Sequence, residues 1–552
     1  MILINRTVNY IKKNGIKSIL PRFKRYFQDK QAIKIYYKKR KKKEGELLEQ
    51  KRKKFAYSPK ISIIIPMYNT PYPFFEELFH TIKNQIYENW ELCLADGSGK
   101  KSSISEMCEK LMQSDKRIKY LLLKENGGIS ANTNEALKLA TGEFIMLADH
   151  DDLLDESALY ECVKILNSAE DIDSIYTDED KIDYKGKKRF EPYFKPDLDI
   201  EYLRCCNYIC HLFLTRRSIA LEAGGFSTEH EGAQDFDFIL KCIERSRRVY
   251  HIPQLLYHWR CHKNSVAGNP RSKMYAYVSG IKAVQDHYFR CGIEADVEVV
   301  ENCYGYYKSK RKIVLPERLS VAVCGEENEK AGGDISVLQE FARQNALKVD
   351  TYNIFTVSDL NHAIGQREDE YWLLIDHNIR IRDQECIYHF FEYGMDENIS
   401  AVTGKICSAK GKLIQGKMIL GLNNFFDYSF KNAGEGEKGY YNSINTPQSA
   451  TVVDYRCTLI RKSIVDAIGG LDNELPLGLA IADYCLRAEK IGKFAVYNPY
   501  IQAIYQGKKK FPVYDKHSKE IFLTKWRERI KTGDAYYNRN LTLNKTNYTI
   551  HK

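Results

Sequence analysis

The sequence predicts an α/β protein, a parallel sheet covered by helices, and three observations lead there. From residue 58 onward short apolar runs alternate with segments of helical period, the order that builds strand–helix–strand units. Each of these runs ends in polar residues, as strands do where an open α/β sheet gathers a ligand. The second half of the chain repeats the pattern of the first, so one domain type is used twice.

At 552 residues the chain is too long for one ordinary core and is expected to form two or three domains. With 43% apolar and 28% charged residues it reads as a globular protein. No uninterrupted apolar stretch reaches bilayer length, and the N-terminus lacks a signal peptide's apolar run and cleavage site, so a cytoplasmic location is expected. The 15 cysteines include no CxxC pair, which argues against structural disulfides and a zinc cluster. Cys205, Cys206 and Cys210 are expected as reduced packing residues.

The first element is a basic arm. Residues 1–56 hold 19 Lys and Arg against 4 Asp and Glu, while the whole chain carries only +11, so the remainder is net acidic. Ile4, Val8, Ile11 and Ile19 recur at helical spacing with Arg6, Lys12, Lys13 and Lys17 between them, the pattern of an amphipathic basic helix. Anionic lipid attracts such a face by about 1 kcal/mol per basic residue near the surface. An anionic membrane is the first expected partner, packing on the chain's own body the second. Nucleic acid is not expected, because no aromatic pattern suited to base stacking is interleaved.

The elements of the first half follow in order. "ISIIIPMYN" supplies a buried strand at 61–65, and "FFEELFHTIKNQI" has a period near 3.6 and forms a helix. "WELCLADGSG" is a strand and turn, "RIKYLLL" a third strand, "ISANTNEALKLATG" a helix closed by Gly142, and "EFIMLA" a fourth strand. Their ends carry Tyr68 and Asn69, then Asp96, then Asn126, then Asp149 to Asp152. Taken alone, "ADHDDLLDES" is also the sequence of a solvated turn capping a helix that starts near Asp155. Four such ends together point to a site for a nucleotide and its metal. No GxGxxG or GxxxxGK[ST] loop is present to grip phosphate, so a divalent cation held by hard carboxylate oxygens must neutralise a diphosphate.

"PKISIIIPMYNTP", "NWELCLADGSG", "ENGGISANTNEAL", "ATGEFIMLADHDDLL", "YTDEDKID", "FKPD", "AGGF", "GAQDFDFILK" and "HIPQLLYHWR" together resemble the inverting family 2 glycosyltransferases of the GT-A fold, in order from residue 58 to about 300. The arm and second half resemble bacterial two-module members of that family. The resemblance implies an α/β nucleotide-diphospho-sugar transferase domain (GT-A), a second, degenerate GT-A-like domain and a basic helical arm. It implies that Pro66, Tyr68 and Asn69 border the nucleoside and that Asp96 accepts a hydrogen bond from the base, with Asn126 also on the donor. Asp149 and Asp151 match the DxD pair, Asp151 as the direct metal ligand and Asp149 nearer the ribose and diphosphate. Asp152 assists or caps the next helix. His258 or His262 completes the shell of manganese or magnesium, and Arg260 meets the diphosphate. Asp235 matches the general base, with Gln234 where many relatives carry Glu. Apart from the resemblance, Asp235 also fits a helix N-cap, Asp237 an exposed first turn, His251 a structural histidine, and "TDEDKID" a solvated acidic hairpin, which the resemblance sets beside the acceptor.

In the second half, "YRCTLIRKSIVDAIGGLDNELPLGLAIADYCLRAEK" echoes "YICHLFLTRRSIALEAGGFSTEHEGAQDFDFILKCIER", and "YWLLIDHNIRI" echoes "EFIMLADHDDLL". The repeat puts Asn378 at the position of Asp151 and Ile481 at that of Asp235, and replaces "PMYN" with "CGEEN" and the histidine region with "IYQGKKK". The expected organisation is an arm at 1–57, a catalytic domain at 58–312, a degenerate copy at 313–510 and a tail at 511–552. The expected activity is metal-dependent hexosyl or deoxyhexosyl transfer, with inversion, from a UDP- or dTDP-sugar to a glycan or lipid-linked glycan in bacterial surface polysaccharide synthesis, at the inner face of the cell membrane. The alternative is a non-catalytic glycan or nucleotide-sugar binding protein.

Overall fold

The computed structural model describes residues 19–40, 44–261, 274–325, 335–434, 436–507 and 514–551. Nine strands form the first sheet: β1 (Ile61–Met67), β2 (Trp90–Asp96), β3 (Ile118–Leu122), β4 (Phe144–Leu147), β5 (Leu153–Leu154), β6 (Ile172–Ile182), β7 (Arg189–Tyr193), β8 (Phe213–Arg216) and β9 (Arg248–Arg260). Their order is β3-β2-β1-β4-β8-β6-β9-β5, with β7 on β6. β1 pairs in parallel with both β2 and β4, so the carboxyl ends of these strands open on one edge.

The unbroken apolar run of β1 has a physical reason: both of its faces are buried. Ile61, Ile63 and Ile65 join Leu92 and Leu94 in a core covered by Phe75, Leu78 and Ile82 of the helix Tyr72–Lys83. Ile64 faces the other way and joins Cys93, Ile145 and Leu147 against Ala136 and Leu137 of the helix Ile129–Leu139.

A hairpin, β10 (Ala295–Val299) and β11 (Tyr307–Arg311), leads to the second sheet. Its strands are β12 (Arg318–Cys324), β13 (Lys348–Ile354), β14 (Tyr371–Asp376), β15 (Ile379–Ile381), β16 (Ile399–Ser408), β17 (Leu413–Gln415), β20 (Gln448–Ala450), β21 (Cys457–Arg461) and β22 (Phe494–Tyr505); β18 (Met418–Leu420) and β19 (Phe426–Tyr428) form a separate hairpin. The order β13-β12-β14-β21-β16-β22-β15, with β17 on β16, reproduces β2-β1-β4-β8-β6-β9-β5 with β7 on β6. Parallel and antiparallel senses match throughout. The copy has no counterpart of β3, for one helix, Val357–Gly365, connects β13 directly to β14. It has therefore lost a strand–helix unit as well as side chains.

Two expectations need correction. "TDEDKID" is not a solvated hairpin: it ends β6, where Asp178 and Asp180 are fully buried and Glu179 nearly so. Asp178 accepts from Lys195 N and Asn538 Nδ2, Glu179 pairs with Lys195, and Asp180 pairs with Arg189. Of the expected tail at 511–552, the described residues join the domain before them, since Phe522, Trp526 and Ile530 of the helix Lys516–Lys531 lie in the second core. The helix Ile19–Arg40 packs on the body through Ala32 and Tyr36, beside Phe194, Leu255, Tyr537, Leu541 and Ile550. Ile4, Val8 and Ile11 lie outside the described residues. All 15 cysteines are free thiols, Cys205 and Cys206 buried.

Candidate active site

The acidic turn after β4 is held from below by β9. Tyr257 donates its hydroxyl to Asp152 Oδ2 at 2.6 Å and accepts from Asp149 N at 3.1 Å. Arg260 N donates to Asp152 Oδ1 at 2.7 Å and its Nε to the Asp151 carbonyl at 2.6 Å. Asp152 is fully buried. Burial, together with the charges of Asp151 and Asp149, pushes its carboxyl well above the usual range. Three crowded carboxylates under such repulsion are what a divalent cation relieves. His150 Nδ1 lies 2.6 Å from Thr70 Oγ1 and ties the turn to the loop after β1.

Among the described residues, Asp149, Asp152 and His211 bring ligand atoms within 4.8 Å of one another. Of the ligands implied by resemblance, Asp149 is in this group and Asp151 stands on the same turn. His258 stands apart, its Nδ1 2.7 Å from Asp180 Oδ1, and His262 lies outside the described residues. The carboxylates of this set suit a hard divalent cation.

The base candidate faces the same corner. Asp235 occupies the first turn of the helix Gln234–Arg245, whose N-cap is Ala233, so it is not the cap. Its Oδ2 accepts from Asn207 Nδ2 at 2.9 Å and lies 4.0 Å from Cys210 Sγ. Cys210 N donates to Asn207 Oδ1 at 3.1 Å, which fixes the orientation of that amide. Burial raises the Asp235 carboxyl above its ordinary range; His211 opposes the shift and Asp149 adds to it. Cys210 sits at φ 39°, a conformation that costs about 1–3 kcal/mol in a side-chain-bearing residue and gathers at functional loops. Asp237 is not exposed: it is fully buried, 2.6 Å from Lys241 Nζ.

The nucleoside edge is shaped differently from expectation. Asp96 is fully buried, accepting from Ser98 N at 2.9 Å, Ser102 Oγ at 2.5 Å and Tyr120 OH at 3.1 Å. It braces the turn instead of lying open to a base. Pro66 pairs with Ala95, Tyr68 is half exposed, and Asn69, at φ 49°, donates its N–H to Ser98 Oγ. Asn126 Oδ1 accepts from Gly128 N and Asn132 Nδ2. Arg260 is also corrected. It is fully buried, with NH1 on the Tyr184 carbonyl at 2.9 Å, NH2 on Glu77 at 2.7 Å and its guanidinium 4.6 Å over Phe74. It clamps the acidic turn and offers no face to a diphosphate. His251, between Asp197 and Asp178, is structural as expected. His211, Tyr257 and Asn207 were not foreseen, because each acts across the fold on a partner distant in sequence.

The fold and the acidic strand ends define a nucleotide-diphospho-sugar transferase class of domain, the GT-A fold. Residues 62–223 match the family described as Glycosyl transferase family 2. The chain is 27% identical over 547 residues to an uncharacterized Sinorhizobium fredii protein, y4gI, covering 92% of this chain and 60% of that one. It is 22% identical over 527 residues to the O-antigen biosynthesis protein RfbC of Myxococcus xanthus, covering 88% and 41%. A Pasteurella multocida chondroitin synthase is 28% identical over 211 residues, 38% of this chain and 21% of that one. The chain thus spans 60% or less of the length of each of these relatives.

Proposed function

We propose that the chain is an inverting glycosyltransferase that moves a hexose or deoxyhexose from a UDP- or dTDP-sugar to a glycan or lipid-linked glycan in bacterial surface polysaccharide synthesis. The observation that carries this reading is the Asp235 carboxylate, held by Asn207 Nδ2 and facing the acidic turn at the strand ends of the segment that matches family 2. The names of relatives in O-antigen biosynthesis and chondroitin synthesis support the polysaccharide setting.

Inversion is an in-line displacement at the anomeric carbon. The acceptor hydroxyl loses its proton as the diphosphate departs, and Asp235 is the group that takes it in this reading. One carboxylate suffices, unlike the pair that glycoside hydrolysis uses. Its raised pKa makes it a stronger base than a solvated Asp, and general base catalysis contributes about 10²–10⁴ in rate. Asp149, Asp152 and His211, with Asp151 beside them, are the groups that would hold a divalent cation, which supplies charge stabilisation at the leaving diphosphate.

Asp235→Asn is expected to lower transfer at least about 100-fold with donor affinity nearly unchanged. The wild-type rate should rise with pH through an apparent pKa above that of an ordinary Asp, and the variant should lose that limb. A parallel loss of donor affinity would instead assign Asp235 to donor binding.

The basic arm is proposed to hold the enzyme on an anionic membrane where lipid-linked acceptors lie. No described helix is long and apolar enough to cross one. Deleting residues 1–56 should release the chain from vesicles containing anionic lipid, and added salt should weaken binding of the full chain. Equal vesicle binding by the shortened chain would rule this out.

A further inference from the structure

The two sheets repeat strand for strand, so their register identifies which residue of the copy stands at each position of the site. Phe144 of β4 pairs with Arg216 of β8, and Tyr371 of β14 pairs with Arg461 of β21. Asp149 lies five residues beyond Phe144, as Asp376 lies five beyond Tyr371; His211 lies five before Arg216, as Arg456 lies five before Arg461. The repeat therefore sets Arg456 where the first domain has His211.

The contact persists although the side chain changes. His211 Nε2 is 3.4 Å from Asp149 Oδ2, and Arg456 Nε is 3.6 Å from Asp376 Oδ2. The consequences for the two carboxylates differ. The Asp149 side chain is 39% exposed and that of Asp376 only 9%. Asp376 also accepts from Tyr455 OH at 3.1 Å, Asn378 N at 2.9 Å and Asn378 Nδ2 at 3.2 Å. A guanidinium carries a permanent charge and no lone pair, so it neutralises its carboxylate and repels a divalent cation. An imidazole can offer a lone pair to a metal, and His211 Nδ1 has no hydrogen-bond partner among the described residues.

We propose that position 211 decides whether the donor-site carboxylate is open to a cation: His211 keeps Asp149 available to a divalent metal and its nucleotide diphosphate, while Arg456 permanently closes the corresponding place in the copy. This rests on reading the acidic turn as the donor site. The closing of the copy is then built from within the chain, in addition to the loss of a base at Ile481.

The test uses the full chain, titrated with manganese in the presence of UDP or dTDP and followed by calorimetry and by manganese paramagnetic resonance. His211→Arg should weaken manganese binding by at least about tenfold and abolish transfer, with the unfolding midpoint retained. Unchanged manganese affinity in that variant overturns the inference. Should the variant fail to fold, Arg456→His decides: a second manganese equivalent without a second transfer activity supports the proposal, and its absence overturns it. If the wild-type chain binds manganese with these nucleotides but transfers no sugar from any donor, the functional reading falls and the inference about the cation stands. A wild-type chain that binds no manganese overturns the inference.

Discussion

Asn207 shows how much of a site can rest on one amide. Its Oδ1 is held by Cys210 N, so its Nδ2 must face Asp235 Oδ2, and that donation favours the ionised base. Removing it should let the Asp235 carboxyl rise further and swing. Asn207→Ala is therefore expected to lower kcat about tenfold, with the acid limb of the rate profile displaced to higher pH and the donor KM little changed. A fall in kcat with an unmoved limb would mean that Asn207 only supports the loop. Asp96 and Arg260 carry the opposite lesson. Their chemistry suits a nucleotide, yet the side chains already have protein partners and serve by bracing the turns that would meet it.

Among the elements, β6 and β9 do the positioning. They pair in parallel along their length, and β9 alone supplies Tyr257 and Arg260 to the acidic turn. The foot of β6 is fastened by Asp173, which bonds Arg216 of β8 and Arg247 just before β9. Burial works against the ionised carboxylate, but the hydrogen bonds from Arg247 and Arg216 outweigh it and hold Asp173 at about 2. A carboxyl whose folded pKa lies below its unfolded value of about 3.9 stabilises the fold above that pH, and the contribution is lost as pH falls toward the folded value. Arg247 is 60% exposed, so the contribution is discounted to about 1–2 kcal/mol. Asp173→Asn should lower the unfolding midpoint at pH 7 and flatten the stability profile between about pH 4 and 2. An unchanged profile there would remove Asp173 from the account.

At the scale of both domains, residues 537–550 return from the second core to the first domain. Asn538 donates to Asp178 and to the Lys195 carbonyl, Asn540 to the Pro253 carbonyl, and Arg40 to Asn540 Oδ1. Tyr537, Leu541 and Ile550 are buried in the cluster they share with Ala32 and Tyr36. Burying three such side chains contributes about 5 kcal/mol. Deleting residues 532–552 should lower the thermal midpoint and increase hydrogen exchange in β6. A retained midpoint with protected β6 would show that the two domains stand without this strap.

The sequence by itself determined the alternating strands and helices, the acidic strand end and the internal repeat that sets Asn378 at the position of Asp151 and Ile481 at that of Asp235. These are legible because apolar period and turn chemistry are local. Only the tertiary structure decided which polar groups are open. The acidic end of β6 reads as a solvated hairpin, yet it is buried because Arg189 and Lys195 from β7 and the turn after it, His258 from β9 and Asn538 arrive to neutralise or bond it. His211 lies among apolar residues in the sequence and becomes part of the site because β8 runs antiparallel to β4 and sets it against Asp149. A buried charge needs its partner, and the partner's place in the chain is fixed by strand register, which residue pattern does not encode.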